Sequence, residues 1–212
     1  MSVVYSSILS GVFSQPPGIN MNLDSVLNFC RLLMQFQAVE RFGAESPQGF
    51  RENDAEHSYS LTMMAWYIIS TAKLALDLNL VMKYALTHDL VEVYAGDTHA
   101  FGSSPAKATK KLREDLALNL LREEYPEISE LPDLIHAYEN NGDAESRFVY
   151  ALDKILPTLM IYLDQSSQYV SRKIPYSDVV AYVEPKIIDE KTISSLWHEL
   201  KPRLKDRPEL FG

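Results

Sequence analysis

The stretch at residues 84–98, YALTHDLVEVYAGDT, places several ionisable side chains inside an apolar helical pattern. His88 and Asp89 are adjacent within it, and Glu92 and Asp97 follow them. On a continuous helix, which turns about 100° per residue, the side chains of His88, Asp89 and Glu92 project from one side. An adjacent imidazole and carboxylate can bind one cation, and Glu92 can then reach a water bound to it. The stretch therefore predicts a cation site on a buried helix.

Two ligands hold a metal ion weakly, so further ligands are expected from other parts of the chain. Asn53 and Glu56 resemble a capping box, which places His57 in the first turn of a second helix. Asp153 is a carboxylate within the apolar run VYALDKILPTL, where an unpaired charge is costly. Packing of these helices against the first one would complete a site with four ligands. The alternative is that all four are polar core residues that satisfy each other.

Apolar spacings of three and four recur along the chain, which is typical of helices, and alternation of polar and apolar residues is rare. We predict one all-α domain over residues 1–212, a bundle of roughly six to eight helices. Its core is expected at about 24–165, with a peripheral tail at 1–22 and peripheral helices at 175–212. Residues 79–95 are expected to form one continuous helix, which Gly96 ends as a left-handed cap.

The first helix is predicted to run from about Asp24 to Arg41, with a buried stripe along one face. The residues of this stripe are Val26, Cys30, Leu33, Met34 and Gln37. Because the chain contains 1 cysteine, an intramolecular disulfide is excluded, and Cys30 is expected to be a small core residue.

Charge and composition exclude several classes of function. The net charge of −9 argues against broad binding to nucleic-acid polymers, which requires a basic surface. A small phosphorylated ligand remains compatible, because a bound metal reverses the local field. The N-terminal residues lack the basic start and long apolar core of a signal peptide, and no apolar run is long enough to span a bilayer. We therefore expect a cytoplasmic protein without a membrane partner.

The order of His57, the His88–Asp89 pair and Asp153 resembles the HD-domain metal-dependent phosphohydrolases, whose pattern is H…HD…D across several helices. The segments ENDAEHS, HDLVEVYAGDT, KATKKLREDLA and AESRFVYALDK extend the resemblance to the 5′-deoxynucleotidase subgroup, over roughly residues 27–163. By matching positions, the resemblance implies four metal ligands: His57, His88, Asp89 and Asp153. It implies one divalent ion, whose identity stays open among Mn²⁺, Co²⁺, Zn²⁺, Fe²⁺, Ni²⁺ and Mg²⁺.

The resemblance also implies catalytic and substrate-binding residues. Glu92 and Asp97 match two acidic positions that the subgroup assigns to catalysis. Arg41 and Phe42 lie where the subgroup has an arginine followed by an aromatic residue near the nucleotide. The structural alternatives are that Glu92 orients a ligand histidine, Asp97 completes a turn, Arg41 meets a helix dipole and Phe42 packs in the core.

The function implied is hydrolysis of deoxyribonucleoside 5′-monophosphates by an enzyme that is expected to be a homodimer. The alternatives are the same site acting on a dNTP, a cyclic nucleotide or another phosphoester, or an inactive metal-binding regulatory domain. A larger phosphorylated substrate calls for more basic residues around the site. Because few Lys and Arg residues flank the motifs, the sequence favours a monophosphate.

Overall fold

Helices make up most of the chain in the computed structural model, which describes residues 22–45, 51–101, 105–165 and 167–212, with the side chains of 42–45 excepted. The elements are α1 (Leu23–Gln37), β1 (Glu40–Glu45), β2 (Arg51–Asn53), α2 (Asp54–Ala72), α3 (Leu78–Thr87), α4 (Glu92–Ala95), α5 (Pro105–Glu124), α6 (Leu131–Glu139), α7 (Ala144–Asp164), α8 (Gln168–Ser171), α9 (Tyr176–Ile187) and α10 (Lys191–Lys205), followed by a 3₁₀ turn at Pro208–Leu210. Eight of these helices have nine residues or more, so the predicted all-α class is confirmed. Residues 1–21 of the predicted N-terminal tail lie outside the described residues.

The first helix ends earlier than predicted and buries a different face. α1 stops at Gln37, and the chain then enters an antiparallel hairpin in which Glu40 pairs with Asn53, so Arg41 lies on a strand. The buried residues of α1 are Leu32 and Phe36. The predicted stripe is wrong, since its members are exposed: Val26, Cys30, Leu33, Met34 and Gln37. Apolar residues lie on both sides of this helix, so periodicity alone does not identify its inner face.

The predicted continuous helix over residues 79–95 is interrupted. α3 ends at Thr87, and α4 begins only at Glu92. In the intervening turn the N–H of Glu92 donates to the carbonyl of Asp89, three residues back, at 2.8 Å. Gly96 ends α4 with φ of 70°, which is a conformation that glycine adopts without a Cβ penalty. Gly96 ends the helix with a positive φ, but its ψ of 148° lies outside the left-handed helical conformation, so the predicted left-handed cap is wrong. The predicted single helix is also wrong.

Two hydrophobic cores hold the helices together. The larger is formed by α2, α3, α7, α9 and α10, with Leu61, Leu152 and Trp197 fully buried. The smaller lies among α1, α4, α5 and α6 and contains Leu121 and Ile135. The helices at 175–212 were expected to be peripheral, but α9 and α10 contribute a complete apolar face to the larger core. Among the described residues, no helix has both the length and the apolar character that crossing a membrane requires.

Candidate metal centre and its cavity

Two histidines and one aspartate from different helices meet in the interior of the protein. We call His57, His88 and Asp153 the histidine group. The Nε2 atom of His57 lies 2.9 Å from Oδ1 of Asp153, and Nε2 of His88 lies 3.8 Å from the same oxygen. All three side chains are buried, and their potential ligand atoms lie within 4.8 Å of one another. Folding therefore joins residues that are up to 96 positions apart in the chain.

Local features position the members of this group. The side chain of Asn53 accepts a hydrogen bond from the N–H of Glu56 at 3.0 Å, and the Glu56 carboxylate accepts one from the N–H of Asn53 at 3.1 Å. This reciprocal pair is the predicted capping box, and it sets the first turn of α2, which carries His57. His88 follows α3 directly, and Asp153 lies in the middle of α7. Three separate elements therefore direct these side chains to one point.

The hydrogen bonding of His88 leaves one ring nitrogen with an unused lone pair. Nδ1 lies 3.0 Å from the carbonyl oxygen of Ala85, and since a carbonyl only accepts, Nδ1 carries the proton. In the neutral imidazole that a metal ligand requires, Nε2 is an acceptor, and it is buried without a hydrogen-bond partner. It nevertheless lies 2.9 Å from Oδ2 of Asp89, another acceptor. A cation between these two atoms would turn this unfavourable approach into a pair of ligand bonds, so the residues present fit a metal ion.

Asp89 stands between two sets of residues. Its Oδ2 atom approaches His88 at 2.9 Å and also accepts a hydrogen bond from Nη1 of Arg41 at 2.6 Å. Its ligand atoms cluster with those of Asp54 and Glu92, all within 4.8 Å of one another. We call Asp54, Asp89 and Glu92 the acid group. Three of the four predicted ligands thus form the histidine group. The fourth, Asp89, lies beside His88 and belongs to the acid group.

Nearby cations and imidazoles keep the aspartates around the histidines ionised. Burial disfavours the charged form of Asp153, but the Lys154 ammonium and the two imidazoles outweigh it and hold the pKa well below its usual range. Burial likewise opposes ionisation of Asp89, and His88 and Arg41 lower the pKa of its carboxyl. The pKa of His57 is raised despite burial and Arg41, because the imidazole hydrogen-bonds Asp153.

Asp54 and Glu92, the two other members of the acid group, have pKa values that shift in the opposite direction. Asp54 and Glu92 have only 0% and 4% of their surface exposed, and Asp54 Oδ2 and Glu92 Oε2 are buried without a hydrogen-bond partner. Burial, reinforced by the charges of Asp89 and Asp54, raises the pKa of Glu92 to about 11. Burial and the charge of Asp89 raise the pKa of Asp54 to about 7, against the attraction of Arg41. Crowding of buried carboxyl groups therefore favours the protonated form of Asp54 and Glu92.

Asp54 was missed by the sequence argument. It is the first residue of α2, where an acidic side chain is common because it meets the positive end of the helix dipole. Nothing in its sequence context separates that ordinary role from a site residue. Its complete burial beside Asp89 and Glu92 is a property of the folded chain.

Arg41 lies on β1, and its side chain contacts two members of the acid group. Its Nη1 donates to Asp89 at 2.6 Å and to Asp54 at 3.3 Å, and its side chain is only 19% exposed. Burial lowers the pKa of its guanidinium, but the surrounding carboxylates outweigh burial and raise it overall. The alternative that Arg41 ends a helix and meets its dipole is wrong, because α1 stops at Gln37. The backbone of Phe42 lies in β1, and its side chain lies outside the described residues.

A cavity of about 430 Å³ opens onto both groups. Its lining includes Arg41, Asp89, Glu92, Asp97 and Asp153, so the predicted catalytic acids share one space with Asp153 of the histidine group. Asp97 follows the Gly96 cap and is partly exposed. The structure thus brings together every predicted site residue whose side chain it describes.

Basic and aromatic residues form much of the remaining wall. The basic residues, besides Arg41, are Lys107, Lys110, Lys154, Arg172 and Lys186. The aromatic residues are Phe101, Tyr138, Tyr150, Tyr169 and Tyr182. The sparse basic residues next to the motifs in the sequence do not represent the folded site, because α5, α7, α9 and the residue after α8 supply basic side chains to the cavity.

Tyr138 and Lys154 support Asp153 and were also missed. The hydroxyl of Tyr138 donates to Oδ2 of Asp153 at 3.2 Å, and the Tyr138 ring lies 5.2 Å from that of His88. Lys154 Nζ donates to the same oxygen at 2.5 Å. These contacts leave Oδ1 of Asp153 facing the two histidines. A lysine next to the aspartate was visible in the sequence, but only packing shows that it turns back to the carboxylate.

Comparison with known proteins identifies relatives of this chain. A family model described as HD domain matches residues 34–197. A crystal structure of a predicted metal-dependent phosphohydrolase from Magnetospirillum magnetotacticum MS-1 superimposes with a TM-score of 0.76 at 25% sequence identity. This alignment covers 90% of the chain and 98% of that structure.

Curated relatives resemble the chain over a shorter region. The human protein named 5′-deoxynucleotidase HDDC2 is 32% identical over 133 residues, which is 61% of this chain and 63% of the relative. The Xenopus laevis protein of the same name is 31% identical over 137 residues, which is 61% of this chain and 64% of the relative. The chain therefore spans less than two thirds of the length of these curated relatives.

Proposed function

Because the chain belongs to the HD-domain family, we propose that it is a metal-dependent phosphohydrolase that removes the 5′-phosphate from deoxyribonucleoside 5′-monophosphates. The observation that carries the proposal is the buried Nε2 atom of His88, which has no hydrogen-bond partner and lies among His57, Asp89 and Asp153. Support for the substrate comes from the relatives named 5′-deoxynucleotidase. The cavity beside the histidine group has room for a small phosphorylated ligand.

His57, His88, Asp89 and Asp153 would hold one divalent ion. When bound, such an ion lowers the pKa of water and offsets negative charge on a phosphoryl group. Its identity is open among Mn²⁺, Co²⁺, Zn²⁺, Fe²⁺, Ni²⁺ and Mg²⁺, because two imidazoles and two carboxylates accept all of them in varying degree. We expect Mn²⁺ or Co²⁺ to support activity best, as the family resemblance implies.

Glu92 and Asp97 would move protons on opposite sides of the reacting phosphate. Glu92 would orient the attacking water or, once ionised, take its proton. Burial and the neighbouring carboxylates raise its pKa to about 11, and Lys110, whose Nζ lies 4.0 Å from Glu92 Oε1, opposes that rise. Asp97, on the cavity wall after Gly96, would give a proton to the leaving 5′ oxygen. Two acids with different surroundings suit these two different tasks.

Arg41 and Phe42 would bind the substrate. The guanidinium of Arg41 lines the cavity and presents a fixed fork of donors that suits phosphate oxygens. Its contacts with Asp54 and Asp89 hold it in place before substrate binds. The role of Phe42 as a surface that stacks on the sugar or base stays a prediction.

A second candidate substrate class is a more highly charged nucleotide, such as a dNTP. The observation that favours it is the set of five additional basic residues on the cavity wall, which can balance further phosphate groups. Most of these side chains already have partners, including Asp153 for Lys154 and Glu114 for Lys110. The monophosphate therefore stays the first choice, and a cyclic nucleotide or an inactive regulatory role is favoured by no contact in the cavity.

Phosphate release from a panel of nucleotides tests the proposal. The panel contains the deoxy and ribo 5′-monophosphates and the corresponding triphosphates, each with chelator or with added Mn²⁺, Co²⁺ or Mg²⁺. We expect metal-dependent release from deoxyribonucleoside monophosphates, and none from the His57→Ala variant. Release from triphosphates alone would favour the second candidate. A protein that binds metal and hydrolyses no member of the panel contradicts both.

We also propose that the chain forms a homodimer through the outer faces of α1 and α2. Leu23 and Met34 on α1, and Trp66 and Tyr67 on α2, are exposed although they are large and apolar. α1 and α2 pack against each other, and large apolar side chains exposed on neighbouring elements favour an interaction surface. Sedimentation at micromolar concentration should show a dimer that Tyr67→Arg converts to a monomer. Leu163→Arg, at an exposed position on α7, is the matched control and should stay dimeric.

The remaining expectations concern organisation and surroundings. We propose a single domain over residues 1–212, because the two cores are joined by helices that contact both. The cytoplasmic location stays a prediction. The lack of a nucleic-acid polymer as partner also stays a prediction, which rests on the acidic charge of −9.

A further inference from the structure

Residues 208–212, which we call the Phe211 segment, pack against the short helix α8 and the turn that follows it. The ring of Phe211 stacks on that of Tyr169, with 5.8 Å between the centroids and 14° between the planes. The N–H of Gly212 donates to the carbonyl of Ile174 at 3.0 Å. Both Tyr169 and Ile174 line the cavity. The segment therefore supports the cavity wall from behind.

The fit at Gly212 leaves no room for a side chain. A Cβ atom on Gly212 would lie 2.5 Å from Cα of Lys173 and 3.0 Å from the carbonyl oxygen of Tyr169. Both are backbone atoms, which cannot rotate away as the tip of a side chain can. Leu210 is 2% exposed and belongs to the larger core, so it anchors the segment from the other side. The segment is thus held tightly against the backbone of α8.

α8 also contacts the loop at residues 96–101, which we call the Asp97 loop. Tyr169 is 4% exposed, and its ring meets that of Phe101 edge-on, with 5.8 Å between the centroids. Edge-to-face contacts of this kind favour one relative orientation of the two rings. Burial lowers the pKa of the Arg172 guanidinium, and the negative charge of Asp97 opposes this effect, so these side chains are near each other. Tyr169 therefore contacts both the Phe211 segment and the Asp97 loop.

Polar contacts from α5 fix another part of the same loop. Nη2 of Arg113 donates to Oγ1 of Thr98 at 2.6 Å. Nζ of Lys107 donates to the carbonyl of Ala100 at 3.1 Å. α5 thus fixes the middle of the loop through hydrogen bonds, and the aromatic contact with α8 fixes its end. The position of the loop depends on both helices.

We propose that the Phe211 segment is a positioning element for Asp97, which acts through Tyr169 of α8. Among the described residues that line the cavity, none belongs to this segment, so it acts without contact with the substrate. The inference rests on the proposed function, in which Asp97 gives a proton to the leaving 5′ oxygen. A displacement of about 1 Å can lower the rate roughly 10²-fold, because proton transfer requires hydrogen-bond distance.

Hydrogen exchange in the full chain tests the structural link without any substrate. Phe211→Ala removes the stacked ring, and Gly212→Ala displaces the backbone while every ring is kept. In both variants the amides of the Asp97 loop should exchange at least roughly tenfold faster, while those of α3 keep their wild-type rates. Glu209→Ala, at an exposed position in the same segment, is the matched control and should match the wild type. Unchanged exchange in the loop of both variants overturns the proposal, and so does faster exchange that extends to α3.

Phosphate release from two substrates tests the effect on Asp97. One is a deoxyribonucleoside 5′-monophosphate, and the other is its analogue with sulfur at the bridging 5′ position, which leaves as a thiolate without a proton. Phe211→Ala and Gly212→Ala should lower kcat for the oxygen ester roughly 10- to 100-fold, and KM should stay unchanged. For the sulfur analogue kcat should stay close to the wild-type value. An equal fall with both substrates, or a fall with neither, overturns the proposal.

Asp97→Asn separates this proposal from the proposed function. It should show the same difference between the oxygen ester and the sulfur analogue. An Asp97→Asn variant that loses activity equally with both would show that the proton transfer assigned to Asp97 is wrong. Hydrogen exchange does not depend on nucleotide hydrolysis, so it still decides whether the Phe211 segment holds the Asp97 loop.

Discussion

The histidine group and the acid group lie side by side, yet the pKa of Asp153 in the first and that of Glu92 in the second are shifted in opposite directions. Asp153 has a pKa held well below its usual range by Lys154 and the two imidazoles, which outweigh its burial. Glu92 has a pKa raised to about 11, because burial acts together with neighbouring carboxylates. Both side chains are buried, so burial alone does not decide their charge. The sign of the nearest charges decides whether each carboxyl group is ionised.

Removal of a ligand from the histidine group should have the largest effect. Asp153→Asn is expected to lower phosphate release by more than about 10⁴-fold, because without the ion the pKa of the attacking water returns from about 7 towards about 15.7. Elemental analysis should show loss of bound metal. Asp164→Asn, at an exposed position on the same helix, is the control. Full activity of metal-depleted Asp153→Asn would show that this group does not serve the reaction.

Neutralising Glu92 should separate chemistry from metal binding at the histidine group. Glu92→Gln is expected to lower kcat by roughly 10²- to 10⁴-fold while the ion of the histidine group stays bound, because general acid–base catalysis contributes that range. Asp97→Asn should have an effect of the same kind. The measurement is kcat at saturating substrate, together with metal content. Near-full turnover in both variants with metal bound rules out the roles assigned to these acids.

Arg41 contacts the acid group and lines the cavity, so its replacement should act mainly on substrate binding. Arg41→Lys keeps the charge but loses the planar fork, and KM for the monophosphate is expected to rise roughly tenfold. Arg51→Lys, an exposed neighbour on β2, should leave KM unchanged. An unchanged KM in Arg41→Lys would leave Arg41 as a structural partner of Asp54 and Asp89.

The smallest effect concerns stability of the metal-free protein. The pKa of Asp54 is raised to about 7 and that of Glu92 to about 11, so the folded chain binds more protons than the unfolded chain near neutral pH. The raised pKa of His57 acts in the same direction, since its contribution is lost as pH rises through that pKa. The lowered pKa values of Asp89 and Asp153 affect only more acidic solutions. Stability should therefore fall as pH rises.

Thermal unfolding in chelator measures this dependence. Between about pH 5 and about pH 8 we expect Tm to fall by at least roughly 2–4 °C, which corresponds to about 1 kcal/mol for a chain of this size. Asp54→Asn should reduce the fall, and added Mn²⁺ should do so in the wild type. A Tm that rises over this interval contradicts the charge state assigned to the acid group.

The histidine group was accessible from the sequence because its signals are local and unusual. A His–Asp pair in an apolar helix and a carboxylate in an apolar run are expensive unless they have partners. The capping box likewise depends on residues three positions apart, and it was predicted correctly. By contrast, the burial of Asp54 and the return of Lys154 to Asp153 depend on neighbours that are distant in the chain. No local sequence pattern indicates this burial or this contact.

The sequence by itself determined the helical class, the capping of α2 and the identity of the side chains that could bind metal, because helix periodicity and residue chemistry act over a few positions. Only the tertiary structure decided which face of α1 is buried, where the helix after Thr87 breaks and which basic residues reach the cavity. Tertiary structure also placed α9 and α10 in the larger core. These features follow from the packing of surfaces that are remote in sequence. The free energy that stabilises them is gained only when the helices pack together.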